Sequence, residues 1–342
     1  MRAVRFHRHG GTEVLQYEEA PDPMPTADEA LVSVKACALN HLDIWAREGL
    51  PNVKIPLPHI SGSDIAGEVE WVPPEEKEFQ KGDAVIVNPG LGCGRCDRCL
   101  SGRDNQCREY TITGYGVDGG YAQLVRARRT HLVRKPKGMT FEEAASFPLV
   151  SETAHHMLVT KARVSPGDTV LVLGGNSGVG SVAIQLAKLF GARVIATAGG
   201  SEKLEKARAL GADEVIDHYS QDVLEEVKKL TERKGVDVVV EHVGKSTWDR
   251  SVKALAKGGR LVTCGATTGA DVATDLRYVY NRELTIYGSF MAGMGELLDV
   301  VKLYEKGKLK TVVDSVYPLE RAADAQAKMQ ESRHFGKIVL KV

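Results

Sequence analysis

Four closely spaced cysteines carry the most specific chemical pattern in the sequence. They are Cys93, Cys96, Cys99 and Cys107, in the stretch GCGRCDRCLSGRDNQC. Close C-x2-C turns bring sulfur atoms together, and four thiolates complete the tetrahedral shell of a structural zinc ion without leaving an open position. A redox-active C-x2-C pair and an iron–sulfur cluster use the same ligands and stay as alternatives. The spacing therefore predicts a metal-binding lobe at about residues 90–110, with one structural zinc ion as the first interpretation.

A glycine-rich turn later in the chain is typical of a nucleotide-phosphate site. The run TVLVLG is followed by GNSGVG and then by the helical stretch SVAIQLAKLF. A strand, a glycine turn and a helix N-terminus place backbone N–H groups and the helix dipole against a pyrophosphate. The pattern G-x-G-x-x-G is matched imperfectly, because a serine replaces the middle glycine. The predicted cofactor contacts in this turn are Gly175, Ser177, Gly178, Val179 and Gly180.

The end of the following strand bears on which nicotinamide cofactor is used. An Asp or Glu about 20 residues after the turn would hold the ribose 2′-OH of NAD, but here the segment ATAGG ends at Gly199 and Gly200. Ser201 and Lys203 follow, and both side chains can contact the 2′-phosphate of NADP, which a carboxylate would repel. We therefore predict a preference for NADP(H) over NAD(H), with Gly199, Ser201 and Lys203 in the site. The alternative is that Ser201 only caps the next helix and Glu202 reaches the ribose.

The elements around the glycine turn alternate between β-branched runs and amphipathic helical stretches. The runs are TVLVLG, RVIATA, EVID, VDVVVEHV, GRLVTCG and LTIYGS. Such alternation forms a parallel sheet with helices on both faces, and about six strands fit a doubly wound dinucleotide fold. The first 150 residues instead contain short extended pieces broken by Pro and Gly, which indicate an irregular β-rich domain. We expect the closing strand, GKIVLKV, to return to that first domain.

Composition limits the classes of partner. The 342 residues contain 45 Lys plus Arg and 45 Asp plus Glu, a formal net charge of +0. No overall positive field exists to gather nucleic acid or an anionic membrane surface, so small molecules or copies of the same chain are the expected partners. No apolar run approaches the roughly 20 residues of a membrane span, and MRAVRFHRHGG lacks the apolar stretch of a secretion signal. We therefore expect a soluble cytoplasmic protein.

Together, these motifs resemble the medium-chain dehydrogenase/reductase superfamily, which includes zinc alcohol dehydrogenases and quinone oxidoreductases. The resemblance covers essentially the whole chain and includes the cysteine lobe, DGGYAQLV, GNSGVG, LFGARVIATA, GADEVID and GKIVL. It implies an α/β fold with a Rossmann cofactor domain at 151–290. It also implies a GroES-like β-barrel catalytic domain at 1–150 and 291–342 that carries the zinc lobe. A homodimer or homotetramer is expected from the same resemblance.

The segments that would carry a catalytic zinc in this superfamily depart from its pattern. The first ligand, a cysteine, is replaced by Asn40 in CALNHLD, and the second, a histidine, by Ser63 in GSD. The third ligand, a cysteine in the superfamily, corresponds to a position near Leu149. The hydroxyl residue that relays a proton in the superfamily is replaced by Leu42. A zinc alkoxide mechanism would therefore lack both its Lewis acid and its relay.

The same segment resembles the L-N-x-x-D pattern of zeta-crystallin-type quinone oxidoreductases, which use NADPH without a catalytic metal. Asn40 and Asp43 carry this second resemblance. The candidate catalytic residues are Asn40, His41, Asp43 and Ser63. For Asn40 and Ser63, local hydrogen bonding within a turn is the alternative.

Further cofactor contacts follow from the superfamily resemblance. Thr153, Gly244, Gly265 and Ser289 match positions near the nicotinamide. His218 lies where quinone reductases often place a tyrosine near the 2′-phosphate, and Lys337 in FGKIVL matches a basic residue near the phosphates. His41 matches another basic position near the pyrophosphate.

The leading hypothesis is reversible hydride transfer between NADP(H) and a carbonyl, quinone or enone without catalytic zinc. One alternative is a zinc-dependent alcohol dehydrogenase with replacement ligands from Cys37, His41, His59 and Asp64. Another is an NADPH-binding protein without enzymatic turnover. The sequence does not name the substrate.

Overall fold

A computed structural model describes residues 1–50 and 53–342, and the chain divides into two compact units. The first comprises Met1–Leu149 together with Ala292–Val342, and the second comprises Val150–Met291. Among the described residues, no helix combines the length and apolar character needed to cross a membrane.

The first unit opens with short strands and helices. Its strands up to residue 149 are β1 (Arg2–Arg5), β2 (Gln16–Glu19), β3 (Glu29–Ala38), β4 (Asp64–Trp71), β5 (Ala84–Val87), β6 (Gly90–Leu91), β7 (Thr111–Ile112), β8 (Leu124–Arg128) and β9 (Leu132–Arg134). Its helices in this part are α1 (His41–Glu48), α2 (Asp97–Leu100) and α3 (Phe141–Ala145). Strand β3 alternates between half-buried and buried positions, as expected of a strand with one face on a core.

The second unit alternates strands and helices. Its strands are β10 (Thr169–Val172), β11 (Arg193–Ala198), β12 (Glu214–Asp217), β13 (Val236–Glu241), β14 (Leu255–Thr263) and β15 (Thr285–Gly288). Helix α4 (Pro148–His155) begins at the boundary between the units and continues as a π-helical turn over His156–Lys161. The other helices are α5 (Gly178–Leu189), α6 (Ser201–Ala209), α7 (Val223–Leu230), α8 (Trp248–Ala254) and α9 (Leu276–Asn281).

The chain then returns to the first unit. This part contains α10 (Met294–Glu305), β16 (Val313–Pro318), α11 (Ala322–Gln330) and β17 (Lys337–Lys341). Strand β17 pairs antiparallel with β3 and parallel with β16. The larger sheet of this unit has the order β16-β17-β3-β4-β5-β9, and β8 also pairs with β3.

The six strands of the second unit form one parallel sheet in the order β12-β11-β10-β13-β14-β15. This is the doubly wound order, in which the carboxyl ends of β10 and β13 lie side by side where the strand order reverses. The predicted fold class is therefore confirmed. Val170, Leu171 and Val172 of β10 are buried, since β10 is a central strand covered on both faces.

The cysteine-rich segment, residues 92–110, is the long loop that connects the two short strands β6 and β7. Strands β6 and β7 pair antiparallel through Gly90 with Ile112 and Leu91 with Thr111. The segment also contacts the start of α10, because the Asp104 carboxylate accepts a hydrogen bond from the Met294 amide at 3.1 Å. A Cβ atom on Gly293 would lie 2.6 Å from the Gly102 carbonyl oxygen, so the contact is close.

Candidate active site and metal lobe

The four cysteines predicted to bind metal lie together. Their sulfur atoms all fall within 4.8 Å of one another. Cys93 lies 3.9 Å and Cys96 lies 3.6 Å from the Cys99 sulfur. A zinc–sulfur bond of about 2.3 Å in a tetrahedral site implies sulfur–sulfur distances of about 3.8 Å. The four residues therefore fit a zinc ion with four thiolate ligands.

Local backbone donors prepare this cluster for negative charge. The Cys93 amide donates to the Cys107 sulfur at 3.4 Å, and the Glu109 amide donates to it at 3.3 Å. Backbone hydrogen bonds from Arg95 and Cys96 lower the pKa of the Cys93 thiol to about 6, whereas burial raises the pKa of the Cys99 thiol to about 12. A lowered pKa favours the thiolate that a metal requires. Of the two remaining cysteines, Cys37 is buried and Cys264 is partly buried.

The glycine turn between β10 and α5 is built for close approach. A Cβ atom on Gly180 would lie 2.2 Å from the Gly174 carbonyl oxygen, so only glycine lets the helix begin against the strand end. Ser177 is the N-cap of α5, and its hydroxyl accepts from the Gly180 amide at 2.9 Å. The first two helical residues, Gly178 and Val179, have no intrahelical acceptor for their N–H groups. The turn therefore presents donors that suit a phosphate.

A partly buried imidazole, His242, contacts the turn and was not among the residues predicted from the sequence. His242 Nε2 lies 2.9 Å from the Leu173 carbonyl oxygen and 3.3 Å from the Ser177 hydroxyl. Burial is the largest effect on His242 and lowers its pKa, so the ring is neutral near pH 7. The available signal was its place directly after β13, since β13 neighbours β10 in a doubly wound sheet.

A cavity of about 280 Å³ opens beside the turn within the second unit. Its lining includes Gly174, Thr197, His218, Val243, Arg250 and Thr268. Apolar walls with a few polar and cationic groups are typical of a cofactor subsite. Arg250 was not among the residues selected from the sequence.

Positive charge gathers at the end of β11 next to this cavity. Burial is the largest effect on His218 and lowers its pKa; the Asp217 carboxylate opposes this shift, and the charges of Lys203 and Arg250 add to it. The nearby Asp217 carboxylate accepts hydrogen bonds from the Gly200 and Tyr219 amides and from the Ser220 hydroxyl. The Asp217 carboxylate therefore stabilises the backbone around Gly200 and Tyr219.

A side chain at Gly199, near the position where an NAD-type acid was expected, would meet the exposed ring of Tyr219. A Cβ atom on Gly199 would lie 2.2 Å from the Tyr219 ring, which would have to move. Gly200 is the N-cap of α6, and Ser201 is its first helical residue. Glu202 pairs with Lys206 at 2.6 Å on the surface of α6.

The residues predicted near the nicotinamide differ in character. The hydroxyls of Thr153 and Ser289 are buried, and neither has a hydrogen-bond partner within the part of the chain that the structure describes. Orphaned buried hydroxyls suit a polar ligand. Gly244 instead has a conformational reason to be glycine, with φ +88 and a Cβ position 2.7 Å from the Gly269 carbonyl oxygen. Gly265 is less crowded, with a Cβ position 3.2 Å from the His242 carbonyl oxygen.

Asn40 and Asp43 lie at the start of α1 in the first unit. Asn40 is the N-cap of α1, and its backbone amide donates to the Asp43 carboxylate at 2.8 Å. Asp43 also accepts from the Gly62 amide at 3.2 Å and the Tyr121 hydroxyl at 3.0 Å. Burial dominates and raises the pKa of Asp43 to about 6. Asp43 is fully buried, so this geometry makes it a hydrogen-bonding centre that positions Asn40.

A buried ion pair adjoins the Asn40 side chain. Lys337 Nζ lies 2.6 Å from the Leu39 carbonyl oxygen, 2.6 Å from Asn40 Oδ1 and 2.9 Å from Asp64 Oδ2. Asn40 Nδ2 donates to the same Asp64 oxygen at 2.9 Å, and the Leu149 amide donates to the other at 2.7 Å. Lys337, for which the sequence predicted a contact with the cofactor phosphates, donates instead to three oxygen atoms of the protein.

His41 and Ser63 complete the set of predicted catalytic residues. His41 is the first residue of α1, and its ring centroid lies 6.3 Å from that of Trp45. Ser63 is fully buried beside Asp64, and its hydroxyl has no partner among the described residues.

The residues where the resemblance places a catalytic zinc do not fit that ion. Asn40, Ser63 and Leu149 offer no thiolate or imidazole, and the Lys337 ammonium bonds to the Asn40 and Asp64 oxygens. Of the replacement ligands considered, Cys37 is completely buried with its pKa raised by burial, and His59 Nε2 lies 3.0 Å from the Gly114 carbonyl oxygen. In the ranges 1–50 and 53–342, the cysteine lobe is the one group of three or more His, Cys, Asp or Glu that could hold a metal.

The doubly wound sheet, the glycine turn and the separate cysteine lobe define a class, the dinucleotide-dependent dehydrogenases. Residues 26–137 match the alcohol dehydrogenase GroES-like domain, and residues 178–306 match the zinc-binding dehydrogenase family. The chain belongs to the medium-chain dehydrogenase/reductase superfamily and is an NAD(P)-dependent oxidoreductase of that group.

Individual relatives span the same length as this chain. An alcohol dehydrogenase of Geobacillus stearothermophilus is 36% identical over 96% of both chains. A quinone oxidoreductase of Pongo abelii is 30% identical over 99% of this chain and 97% of its own. A crystal structure of an NAD-dependent alcohol dehydrogenase shares 48% identity and superposes with a TM-score of 0.97 over 100% of both chains.

Proposed function

We propose that the protein is an NADP(H)-dependent oxidoreductase that transfers a hydride to or from a carbonyl, quinone or enone without catalytic zinc. One observation carries the proposal: a lysine ammonium is hydrogen-bonded between Asn40 and Asp64, where zinc-dependent relatives would need metal ligands. The similarity to a quinone oxidoreductase supports such a substrate class. Membership of a family of enzymes favours turnover over the alternative of a non-catalytic NADPH-binding protein.

The preference for NADP(H) is supported by charge at the end of β11. Lys203 and Arg250 supply positive charge beside His218, and Gly199 itself brings no carboxylate to repel a 2′-phosphate. Phosphate binding is expected at the N–H groups of Gly178 and Val179, beside Gly175 and Gly180. The name of the NAD-dependent alcohol dehydrogenase favours NAD(H) as the competing possibility.

The bound nicotinamide supplies or accepts the hydride; reduction of a carbonyl also consumes one proton from water and forms one C–H and one O–H bond. The protein must orient the substrate and stabilise the negative charge that develops on its oxygen. Asn40 Nδ2 is the donor that we assign to that oxygen, since it retains a second N–H beyond the one bonded to Asp64. Asp43, through the Asn40 backbone amide, holds this residue in place. Thr153 and Ser289 are proposed to contact the nicotinamide through their buried hydroxyls.

The cysteine lobe is proposed to hold one structural zinc ion per chain. A homodimer or homotetramer is also proposed from the superfamily resemblance, which implies β15 as the pairing strand; β15 is one of the two edge strands of its sheet. Sedimentation of the purified protein as a monomer would contradict this assembly.

The test combines zinc content with kinetics. Metal-replete protein, freed of loosely bound ions, should contain one zinc per chain, and the same sample should oxidise NADPH with a quinone or enone. A panel of alcohols, ketones, quinones and enones, each with NADP(H) and NAD(H), then measures kcat/KM. Two zinc ions per chain and alcohol oxidation abolished by a chelator would establish the zinc-dependent alternative instead. A higher kcat/KM with NAD(H) would overturn the cofactor assignment alone.

A further inference from the structure

The ammonium group of Lys337 is buried and fully hydrogen-bonded. The residue is 4% exposed, and its three hydrogens match its three acceptors: the Leu39 carbonyl oxygen, Asn40 Oδ1 and Asp64 Oδ2. Taking an ammonium ion from water into a protein interior costs several kcal/mol unless such partners replace the water. Strand β17 begins at Lys337 and pairs with the end of β3. This strand pairing places the Lys337 ammonium next to Asn40.

The ion pair determines which way the Asn40 amide faces. The ammonium only donates and therefore needs an oxygen of the Asn40 amide, whereas the Asp64 carboxylate only accepts and therefore needs the N–H of that amide. With Oδ1 2.6 Å from Lys337 and Nδ2 2.9 Å from Asp64, both requirements are met. A flipped amide would place NH₂ against the ammonium and oxygen against the carboxylate. The two charges thus select one orientation.

The selected orientation leaves one hydrogen of the amide available. Asn40 Nδ2 carries two hydrogens and uses one for Asp64; no acceptor for the other occurs among the hydrogen bonds of the described residues. The residue as a whole is buried and retains 7% exposure. Hydrogen bonds to ions are stronger than neutral ones, and a bond accepted at the amide oxygen strengthens the N–H as a donor.

We propose that Lys337 is a positioning residue that orients and polarises the Asn40 amide, so that its second N–H binds the developing oxyanion of the substrate. The inference rests on the proposed function, in which Asn40 is the donor to that oxygen. The Lys337 ammonium then acts through the Asn40 amide. It contributes part of the electrostatic stabilisation of the oxyanion that a metal ion would give by direct contact.

A direct contact between Lys337 and a cofactor phosphate is the competing role. Reaching a phosphate would require the ammonium to leave Asp64, whose side chain is completely buried. That movement would leave a carboxylate without its counter-ion, which is strongly destabilising. The two roles predict different kinetics: a phosphate ligand governs cofactor affinity, whereas a positioning residue governs kcat.

The experiment is a double-mutant cycle with Asn40→Ala and Lys337→Met, assayed with NADPH and the best quinone, enone or ketone substrate. Asn40→Ala should lower kcat about 100-fold, the usual effect of removing one oxyanion donor. Lys337→Met should lower kcat at least about tenfold, and the dissociation constant of NADPH should change by less than about threefold. In the double variant, Lys337→Met should add less than about a twofold loss, because its effect passes through Asn40.

A second variant separates positioning from folding. Lys337→Met leaves Asp64 unpaired, so Lys337→Met combined with Asp64→Asn removes both charges and should recover thermal stability while kcat stays low. Recovery of kcat together with stability would show a purely structural role and overturn the proposal. Lys341→Met is the matched control on the same strand, because this lysine is exposed and its nearest acid is Glu142 at 3.7 Å. Its kcat should equal that of the parent.

Other outcomes also decide the question. A rise of tenfold or more in the NADPH dissociation constant with unchanged kcat would identify Lys337 as a phosphate ligand. Losses that multiply in the double variant would show that the two residues act independently, and either result overturns the inference while leaving the proposed function intact. If the parent enzyme contains two zinc ions, or reduces no substrate in the panel, the proposed function fails and the inference falls with it.

Discussion

The close approach of α5 to β10 makes Gly180→Ala a sharp test of the phosphate turn. The added Cβ would lie 2.2 Å from the Gly174 carbonyl oxygen and 2.9 Å from Gly175 Cα, whereas ordinary contacts begin at 3.4 Å. Because these neighbours are backbone atoms, the helix start or the turn must shift by about 1 Å. The Gly180 amide also donates to the Ser177 cap at 2.9 Å, so the shift disturbs that bond as well.

The expected loss can be estimated from these opposing effects. Alanine is favoured over glycine within a helix by about 1 kcal/mol, but overpacking costs about 1–3 kcal/mol and a weakened cap about 1 kcal/mol. The net effect is a destabilisation of about 1–3 kcal/mol. If the turn binds the pyrophosphate, its displacement should also raise the NADPH dissociation constant at least tenfold, which corresponds to about 1.4 kcal/mol.

Thermal unfolding and titration of NADPH fluorescence measure the two effects. Gly295→Ala in α10 is the matched control, since no atom lies within 4 Å of its Cβ position. This control should retain or gain stability and bind NADPH like the parent. Parental Tm and parental NADPH affinity in Gly180→Ala would refute the steric argument. A lower Tm with unchanged affinity would refute the assignment of the turn to the cofactor.

Three further predictions concern the metal lobe and the cofactor. Cys107→Ser should abolish the single zinc in elemental analysis and lower Tm, because three thiolates leave the tetrahedral shell incomplete; unchanged zinc content would contradict a four-thiolate site. Lys203→Ala should reduce the ratio of kcat/KM for NADPH to that for NADH at least about tenfold, since a charge-assisted bond to the 2′-phosphate is lost; equal losses with both cofactors would contradict it. The pKa of the His218 imidazole is lowered by burial and by Lys203 and Arg250. A bound 2′-phosphate raises that pKa, so the preference for NADPH should increase as pH falls from about 8 to about 6. A pH-independent preference would exclude His218 from the site.

The features that the sequence predicted best are encoded by neighbouring residues. The strand, turn and helix around GNSGVG form within a stretch of about 20 residues, and the order of the six parallel strands follows from their alternation with helices. The cysteine cluster is local in the same sense, since Cys93–Cys107 is a short segment and its sulfur atoms do converge.

The features that the sequence could not supply depend on distant pairing. Lys337 and Asn40 are separated by 297 positions, and only the pairing of β17 with β3 brings their side chains together. The superfamily resemblance suggested a phosphate contact for Lys337 and a catalytic role for Asn40. The acceptors that surround the ammonium belong to two distant segments, Leu39–Asn40 and Asp64. His242 was missed for a similar reason, since its partners Leu173 and Ser177 lie on the adjacent strand and turn. The short helix α9 also escaped prediction; its N-cap Asp275 follows no periodic apolar pattern.

The contact between the cysteine segment and α10 limits how this protein can be shortened. Strands β6 and β7 already form a closed hairpin, so removing residues 92–110 and joining the strands by a tight turn would preserve their pairing. The same deletion would take away Asp104, the carboxylate that accepts from the Met294 amide at the start of α10. A helix of 12 residues would then begin with that donor facing solvent. Engineers who trim this lobe should therefore supply a new N-cap in place of Gly293, such as Ser or Asp, so that the loss of the lobe does not also loosen the helix.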